Sequence, residues 1–325
     1  MFLRRFLRRI FASAVMLIAL ITIVFFLVRL VPGDPTHQYY SPKLGSELAD
    51  RVKVQFGLDQ PVHVQFLKWF GNLAAGDLGY SISFRKPVID VILTALPVTL
   101  TLAVLALIFQ MFLGILFGTL AGANPNSKLD NTINIGSLVI YCAPSFLIGL
   151  FLIYFGSVKL GLFPTSHLHS TEYEDFSAVN QFLDFLHHIF LPVLTLTITS
   201  AAFTTRFVRE SLSNVLSQPF ITALRSTGMG ERKLVLSHAL PNSLLPLITL
   251  LGIEIGSLLS GALITETIFS LPGLGRLTVD AIFSRDYPLV IGCTLISGFL
   301  VITGNFIADM LHAKLDARVS FETIG

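Results

Sequence analysis

Two glutamates pose the first chemical question in this sequence. Glu254 falls in the middle of an apolar run from Asn242 to Thr265, where a carboxylate costs at least about 2.5 kcal/mol unless it faces water or a partner. It is therefore either a contact on a solute pathway or a structural group, neutral or paired with a neighbouring helix. Glu266 comes at the edge of the same run, within reach of water; it can line the pathway or anchor the turn LPGLG at Leu271–Gly275. Catalytic constellations are missing: no serine sits in G-x-S-x-G, and no H-E-x-x-H or H-x-x-E-H spacing occurs. His187 and His188 are adjacent, the other histidines are scattered, and no metal centre is expected. Cys142 and Cys293 lie in apolar runs without metal-ligand or redox spacing and read as small buried hydrophobes. Nor is there a G-x-x-x-x-G-K-[ST] loop for nucleotide; the nearest stretch, Gly122–Leu129, has Ser127 where the second glycine should be. The chain is expected to bind no cofactor of its own.

The elements that must hold these residues are apolar and long. Of 325 residues 53% are hydrophobic and 13% charged, and the mean hydropathy is +0.75, whereas an ordinary soluble domain is about 25% charged. A net charge of +2 is too weak for a nucleic-acid partner, and the basic residues gather at the ends of apolar runs, which fits a lipid bilayer. Runs of bilayer length lie at 10–30, 97–121, 132–157, 189–205, 242–265 and 288–311. The expected fold is therefore all-α and integral to a membrane, with six spanning helices. The domain division expected is a tail and first helix at 1–31, an external insertion at 32–96, and a core membrane domain at 97–325.

Charge orients this array. Arg4, Arg5, Arg8 and Arg9 precede the first run, which is too long for a signal peptide and has no A-x-A-like site after it. With the N-terminus inside, the segments 122–131, 206–241 and 312–325 are cytoplasmic. These collect Lys128, Arg206, Arg209, Arg225, Arg232, Lys233, Lys314 and Arg318, against Lys159, Arg276 and Arg285 on short external segments. Arg206 and Arg209 mark the inner end of the fourth helix, reaching either lipid phosphate or a cytoplasmic partner. In the insertion, Phe66, Trp69 and Phe70 beside Lys68 suit either an interfacial helix or a packed cap. Gly114, Gly118 and Gly122, and again Gly252 and Gly256, recur every fourth residue and allow close helix approach.

The most informative cytoplasmic stretch is Arg206–Pro246. Phe220, Ala223 and Leu224 fall at helical spacing, Gly228 and Gly230 can end that helix in left-handed geometry, and Leu234, Val235 and Leu240 start a second apolar face up to Pro241. The pattern predicts helix, glycine turn, helix, within about 218–241. A stiff element of this kind can transmit displacement, or it can be a structured connector.

In these residues the chain resembles the inner-membrane permeases of ABC importers, in the dipeptide, oligopeptide and nickel branch. Their cytoplasmic signature runs EAA, three residues, Gly, nine residues, I-x-L-P. The triplet falls on Thr222, Ala223 and Leu224, the glycine on Gly228, and the end on His238, Ala239, Leu240 and Pro241. Thr222, Leu224 and His238 depart from the signature, and the first of these weakens any ion pair from that site. RLVPGDP at 29–35, FGLDQPVHVQFLKWF at 56–70, GDLGYS at 76–81, Leu96 with Pro97, ETIFSLPGLG at 266–275 and LDARV at 315–319 are similar to branch segments in the same order. The resemblance implies the type I permease fold of ABC importers and a location in the cell's inner membrane. It implies as partners a second homologous permease subunit, two cytoplasmic ATPase subunits that bind ATP and Mg, and an external solute-binding protein. It further implies transport of di- or oligopeptides, or of nickel or another small solute. The glycine-punctuated segment is what separates this from a self-sufficient secondary transporter or channel, which does not need it.

Overall fold

A computed structural model describes residues 2–30 and 60–315. It is helical throughout these residues, apart from loops, short π and 3₁₀ turns and one isolated bridge. In chain order the helices are α1 Phe2–Leu30, α2 Val62–Ala74, α3 Val88–Gly122, α4 Lys128–Cys142, α5 Ser145–Leu152, α6 Ala178–Leu216, α7 Pro219–Ser226, α8 Glu231–Lys233, α9 Leu240–Ile268, α10 Leu274–Phe283 and α11 Tyr287–Leu315. Among the described residues four helices are long and apolar enough to cross a bilayer, and two bent pairs raise the number to six when each is taken as one span. The bilayer-length runs thus all become helix. The similarities beginning at residue 29 and at residue 56 run into residues outside the described ones, and LDARV lies outside them except for its first residue. The side chains of Arg4, Arg5, Arg8 and Arg9 are also outside the described set.

The third run departs from a straight span. Lys128–Cys142 and Ser145–Lys159 meet at 102°, because Pro144 has no amide to donate and forces the residue before it out of the helical region. Ala143 accordingly sits at φ −78°, ψ 135°. The fourth run is longer than its apolar part: α6 begins at a Ser177 cap and ends only at Leu216, so polar turns extend the expected 189–205 span at both ends. A further helix, α10, occupies a segment whose sequence reads as turn and loop, while α8 is the start of the second helix expected after the glycine turn.

Two compact units form, each drawing on separated parts of the chain: Met1–Pro97 with Arg276–Leu300, and Val98–Gly275 with Val301–Gly325. In the first unit the aromatic residues of the insertion pack as a cap: Phe66 meets Phe25 and Phe26 of α1 at 5.2 and 5.5 Å, and Trp69 meets Phe25 at 5.4 Å. Arg29 closes the cluster, its guanidinium 3.5 Å above the Phe25 ring and bonded to Gln65 at 3.0 Å. The GDLGYS segment is a pinned turn. Buried Asp286 accepts from Ser81 Oγ at 2.5 Å and from the Ser83 amide at 2.8 Å.

In the second unit the core joins Leu102 and Ala106 of α3, Ile189, Leu191, Val193 and Leu196 of α6, and Leu258 and Phe269 of α9 and its end. The Gly114, Gly118 and Gly122 stripe lies directly on α6. A Cβ at Gly114 would come within 2.5 Å of Thr204, at Gly118 within 2.6 Å of Val208, and at Gly122 within 2.9 Å of the Arg209 carbonyl. Gly252 approaches Asn305 in the same way. Small residues here let backbones touch, the contact that drives helix association where lipid offers no hydrophobic contrast.

Candidate functional site

The helix–turn–helix expected around Gly228 is present. α6 ends at Leu216, and after Ser217 and Gln218 the chain turns into α7, with Pro219 in its first turn, where an amide would have no partner in any case. α7 has eight residues, too few to persist alone, and it is held by what it sits on. Ile221 is fully buried and packs with Leu212 and Val215 of α6, and with Leu234, Val235 and Ala239 beyond the turn; Ala123, Leu224 and Met229 cover the edges.

The glycine turn is closed by local bonds. Thr227 and Ser226 hydroxyls donate to the Leu224 and Ala223 carbonyls at 2.7 and 2.8 Å, and the Gly228 amide donates to Arg225 O at 3.1 Å. Gly228 has φ +80°, whereas Gly230 has φ −65° and opens α8. Left-handed geometry thus falls on one of the two candidate glycines. Arg225 then bridges the turn, donating to both Glu231 oxygens at 2.6 and 3.2 Å, and this ion pair raises the already high arginine pKa. After α8 the backbone widens into a π turn over Leu234–Ala239, ahead of Pro241, whose missing amide removes one donor from the ordinary ladder. His238 lies on this turn, half-buried, and its carbonyl accepts from Asn242 at 2.7 Å; Leu240 and Pro241 begin α9.

The apolar face of α7 differs from the expected one. Ile221 with Leu224 points inward, while Phe220 is 39% exposed and Thr222 and Ala223 face outward. A short rigid helix therefore presents an aromatic ring and two small side chains to whatever lies outside this chain. Arg206 is exposed, about 6.0 Å from the Tyr141 ring. Arg209 instead turns inward and grips buried Asp130 with two bonds of 2.9 and 2.7 Å.

The two glutamates are separate from this site and from each other. Glu254, 7% exposed, accepts from the Gln110 amide of α3 at 3.1 Å, and among the described residues Gln110 Oε1 has no hydrogen-bond partner. Glu266 is fully buried at the end of α9. Its carboxylate accepts from Thr99 Oγ1 at 2.5 Å and from the Gly275 amide at 2.7 Å, and Thr99 Oγ1 in turn accepts from the Leu274 amide at 2.8 Å. The LPGLG turn is wrapped around that carboxylate, and a Cβ on Gly273 would overlap it, 2.2 Å from the Glu266 Cδ.

Asp130 and Thr99 were not singled out from sequence. Asp130 was legible as part of Ser127-x-x-Asp130, a helix-start pattern, and Ser127 does cap α4; its bond to Arg209 spans 79 positions and leaves no local trace.

Residues 114–321 match the family described as binding-protein-dependent transport system inner membrane component, and residues 2–103 match that family's N-terminal region. The chain belongs to this family. It is 38% identical over 318 residues to the oligopeptide transport system permease protein AppB of Bacillus subtilis, covering 97% of this chain and 98% of that one. It is 36% identical over 315 residues to the di/tripeptide transport system permease protein DppB of Pseudomonas aeruginosa, covering 91% and 93%. It is 33% identical over 303 residues to the glutathione transport system permease protein GsiC of Shigella flexneri, covering 92% and 93%. Among solved structures it resembles the MetNI methionine ABC transporter in inward-facing form, with TM-score 0.54 and 18% identity over 70% of this chain and 97% of that one. An amino acid ABC transporter crystallised with histidines gives TM-score 0.53 and 20% identity, over 70% and 94%. The permease fold expected from the signature residues is therefore the fold of this family, and the chain is a multi-pass membrane transport component.

Proposed function

We propose that this chain is the membrane-spanning permease subunit of an ATP-driven peptide importer, lining one half of the pore. α7 is the helix on which a cytoplasmic ATPase docks, with Phe220, Thr222 and Ala223 on the docking face. The second half of the pore comes from a homologous permease subunit, a second ATPase serves that subunit, and an external binding protein delivers solute. ATP and Mg sit on the ATPases. The N- and C-termini are cytoplasmic in this reading, which the arginine and lysine distribution supports.

The observation that carries this reading is the geometry of α7: a helix too short to persist alone, clamped from behind by a buried cluster, and closed by a left-handed glycine, with Phe220, Thr222 and Ala223 exposed on its outward face. A connector needs no such construction. A lever does, because displacement applied to its face must reach α6 without being absorbed. Peptide as the solute is supported by the oligopeptide, dipeptide and glutathione permeases that the chain resembles along nearly all its length. Glu254 is proposed to border the solute path, tied to α3 through Gln110, and Glu266 to anchor the LPGLG turn beside it.

Purification of the chain from native membranes tests the assembly: an ATPase and a second permease should accompany it. The co-purified assembly in liposomes should take up labelled tripeptide only with internal or external ATP available to the ATPase face. Uptake by this chain alone, driven by an ion gradient, would overturn the reading. For Glu254, unchanged peptide uptake and ATP turnover in Glu254→Gln would remove it from the path.

A further inference from the structure

Asp130, in the first turn of α4, is completely buried, and its carboxylate ties α6 to the α3–α4 turn. Its carboxylate takes both prongs of the Arg209 guanidinium, from Nε at 2.9 Å and from Nη2 at 2.7 Å, and also accepts the Asn126 amide at 2.8 Å. Asn126 is held at φ +63° in the short turn between α3 and α4. Ser127, next along, caps the Asp130 amide at 3.1 Å. The Arg209 backbone also lies close against α3: a Cβ on Gly122 would lie 2.9 Å from its carbonyl oxygen and 3.2 Å from its Cα. Glu210, largely exposed, adds a 3.4 Å contact to the other guanidinium nitrogen.

One residue thus packs its backbone against the end of α3 and holds the start of α4 by its side chain. The next turn of its own helix carries Leu212 and Val215, the residues that seat Ile221 of α7, and Ala123 of the α3–α4 turn borders the same cluster. Two-pronged arginine–carboxylate geometry fixes orientation as well as distance, and a buried aspartate left without its arginine would be strongly disfavoured. The arrangement is stiff where a gating movement must pass.

We propose that Asp130 and Arg209 are positioning residues for energy coupling: they clamp the ends of α3, α4 and α6 into one block that moves with α7. This rests on the reading of α7 as the ATPase-docking helix. Without the clamp α7 would still dock, and its movement would be taken up by the α3–α4 turn.

Spin labels at Ser226→Cys on α7 and Lys128→Cys at the start of α4, both exposed positions, in a Cys142→Ala background, report the distance across the block. In the co-purified assembly the wild-type distance should be narrow and the same without nucleotide and with ATP trapped by vanadate. In Asp130→Asn it should widen and shift between the two states, and Arg209→Gln should match it. The double variant should be no worse than either single one, as for a pair acting as a unit. A distance that moves with nucleotide in the wild type, or stays narrow and fixed in both variants, would overturn the clamp. Should Asp130→Asn fail to assemble, Arg209→Lys keeps the charge but loses the two-pronged geometry; a fixed distance there counts equally against it. Purification without any ATPase would instead overturn the docking reading, and the clamp would then stand or fall on whether Asp130→Asn widens the nucleotide-free distance.

Discussion

Substitution of Gly228 isolates one conformational requirement. Its φ of +80° costs glycine little and most other residues more, and among the described residues nothing lies within 4 Å of an added Cβ. Gly228→Val therefore meets no neighbour, and its penalty is the backbone strain of about 1–2 kcal/mol. Membrane insertion should be normal, while peptide-stimulated ATP hydrolysis falls because α7 is re-aimed; unchanged stimulation would show that the turn does not set the docking angle. Gly273 is the opposite case. A methyl group there collides with the Glu266 carboxylate at 2.2 Å, so Gly273→Ala should displace that group from Thr99 and Gly275 and destabilise the protein by about 1–3 kcal/mol. Thermal unfolding in detergent should show the loss, and a wild-type midpoint would mean that the turn relaxes freely.

At the level of elements, the loop ahead of α6 carries a histidine cluster whose charge state matters. Asp184 accepts from the Ser170 amide at 3.0 Å and from its hydroxyl, with His188 3.4 Å and His169 3.9 Å away and the Tyr173 ring against His169. Burial lowers the His169 pKa below its ordinary 6.5, against the attraction of Asp184. The unfolded loop then binds a proton more readily than the folded one, so stability is full above pH 6.5 and declines as pH falls through the window below it. Hydrogen-exchange protection across residues 160–177, taken relative to the intrinsic exchange rate at each pH, should fall between pH 7.5 and about 5.5, and His169→Gln should remove the fall; an equal fall in the variant would place the titrating group elsewhere.

How much of this could be read from the sequence follows from the range of each interaction. The spans were legible because hydropathy is a sum over neighbours, and the Gly228 turn because a glycine after a helical run takes positive φ without a Cβ penalty. The bend at Pro144 was available in principle, yet the apolar run continues through it and hides the break. The spacing of Phe220, Ala223 and Leu224 does not mark the inward face of α7: Ile221, not Phe220, is buried, since an eight-residue helix has too few positions to declare its face before its seat is known. The bonds of Asp130 to Arg209 and of Thr99 to Glu266 join residues 79 and 167 positions apart; only folding discloses them.

For the whole molecule, the break between α4 and α5 carries a further consequence. Around Ala143 and Pro144 the chain leaves the helical ladder in the midst of an apolar stretch, and Tyr141, Cys142 and Pro144 are exposed in this chain. Hydrocarbon cannot solvate peptide groups released in this way, so irregular backbone at that depth must be shielded by other polypeptide or must border water. Cys142 is exposed while Cys293 is buried, which makes it a natural reporter. A charged maleimide should modify Cys142 in the isolated subunit and be excluded from it in the assembled transporter if another subunit covers the kink. Labelling that persists in the assembly would mark a wetted surface, and a thiol inert in both would put bare amides against lipid tails, which no bilayer tolerates.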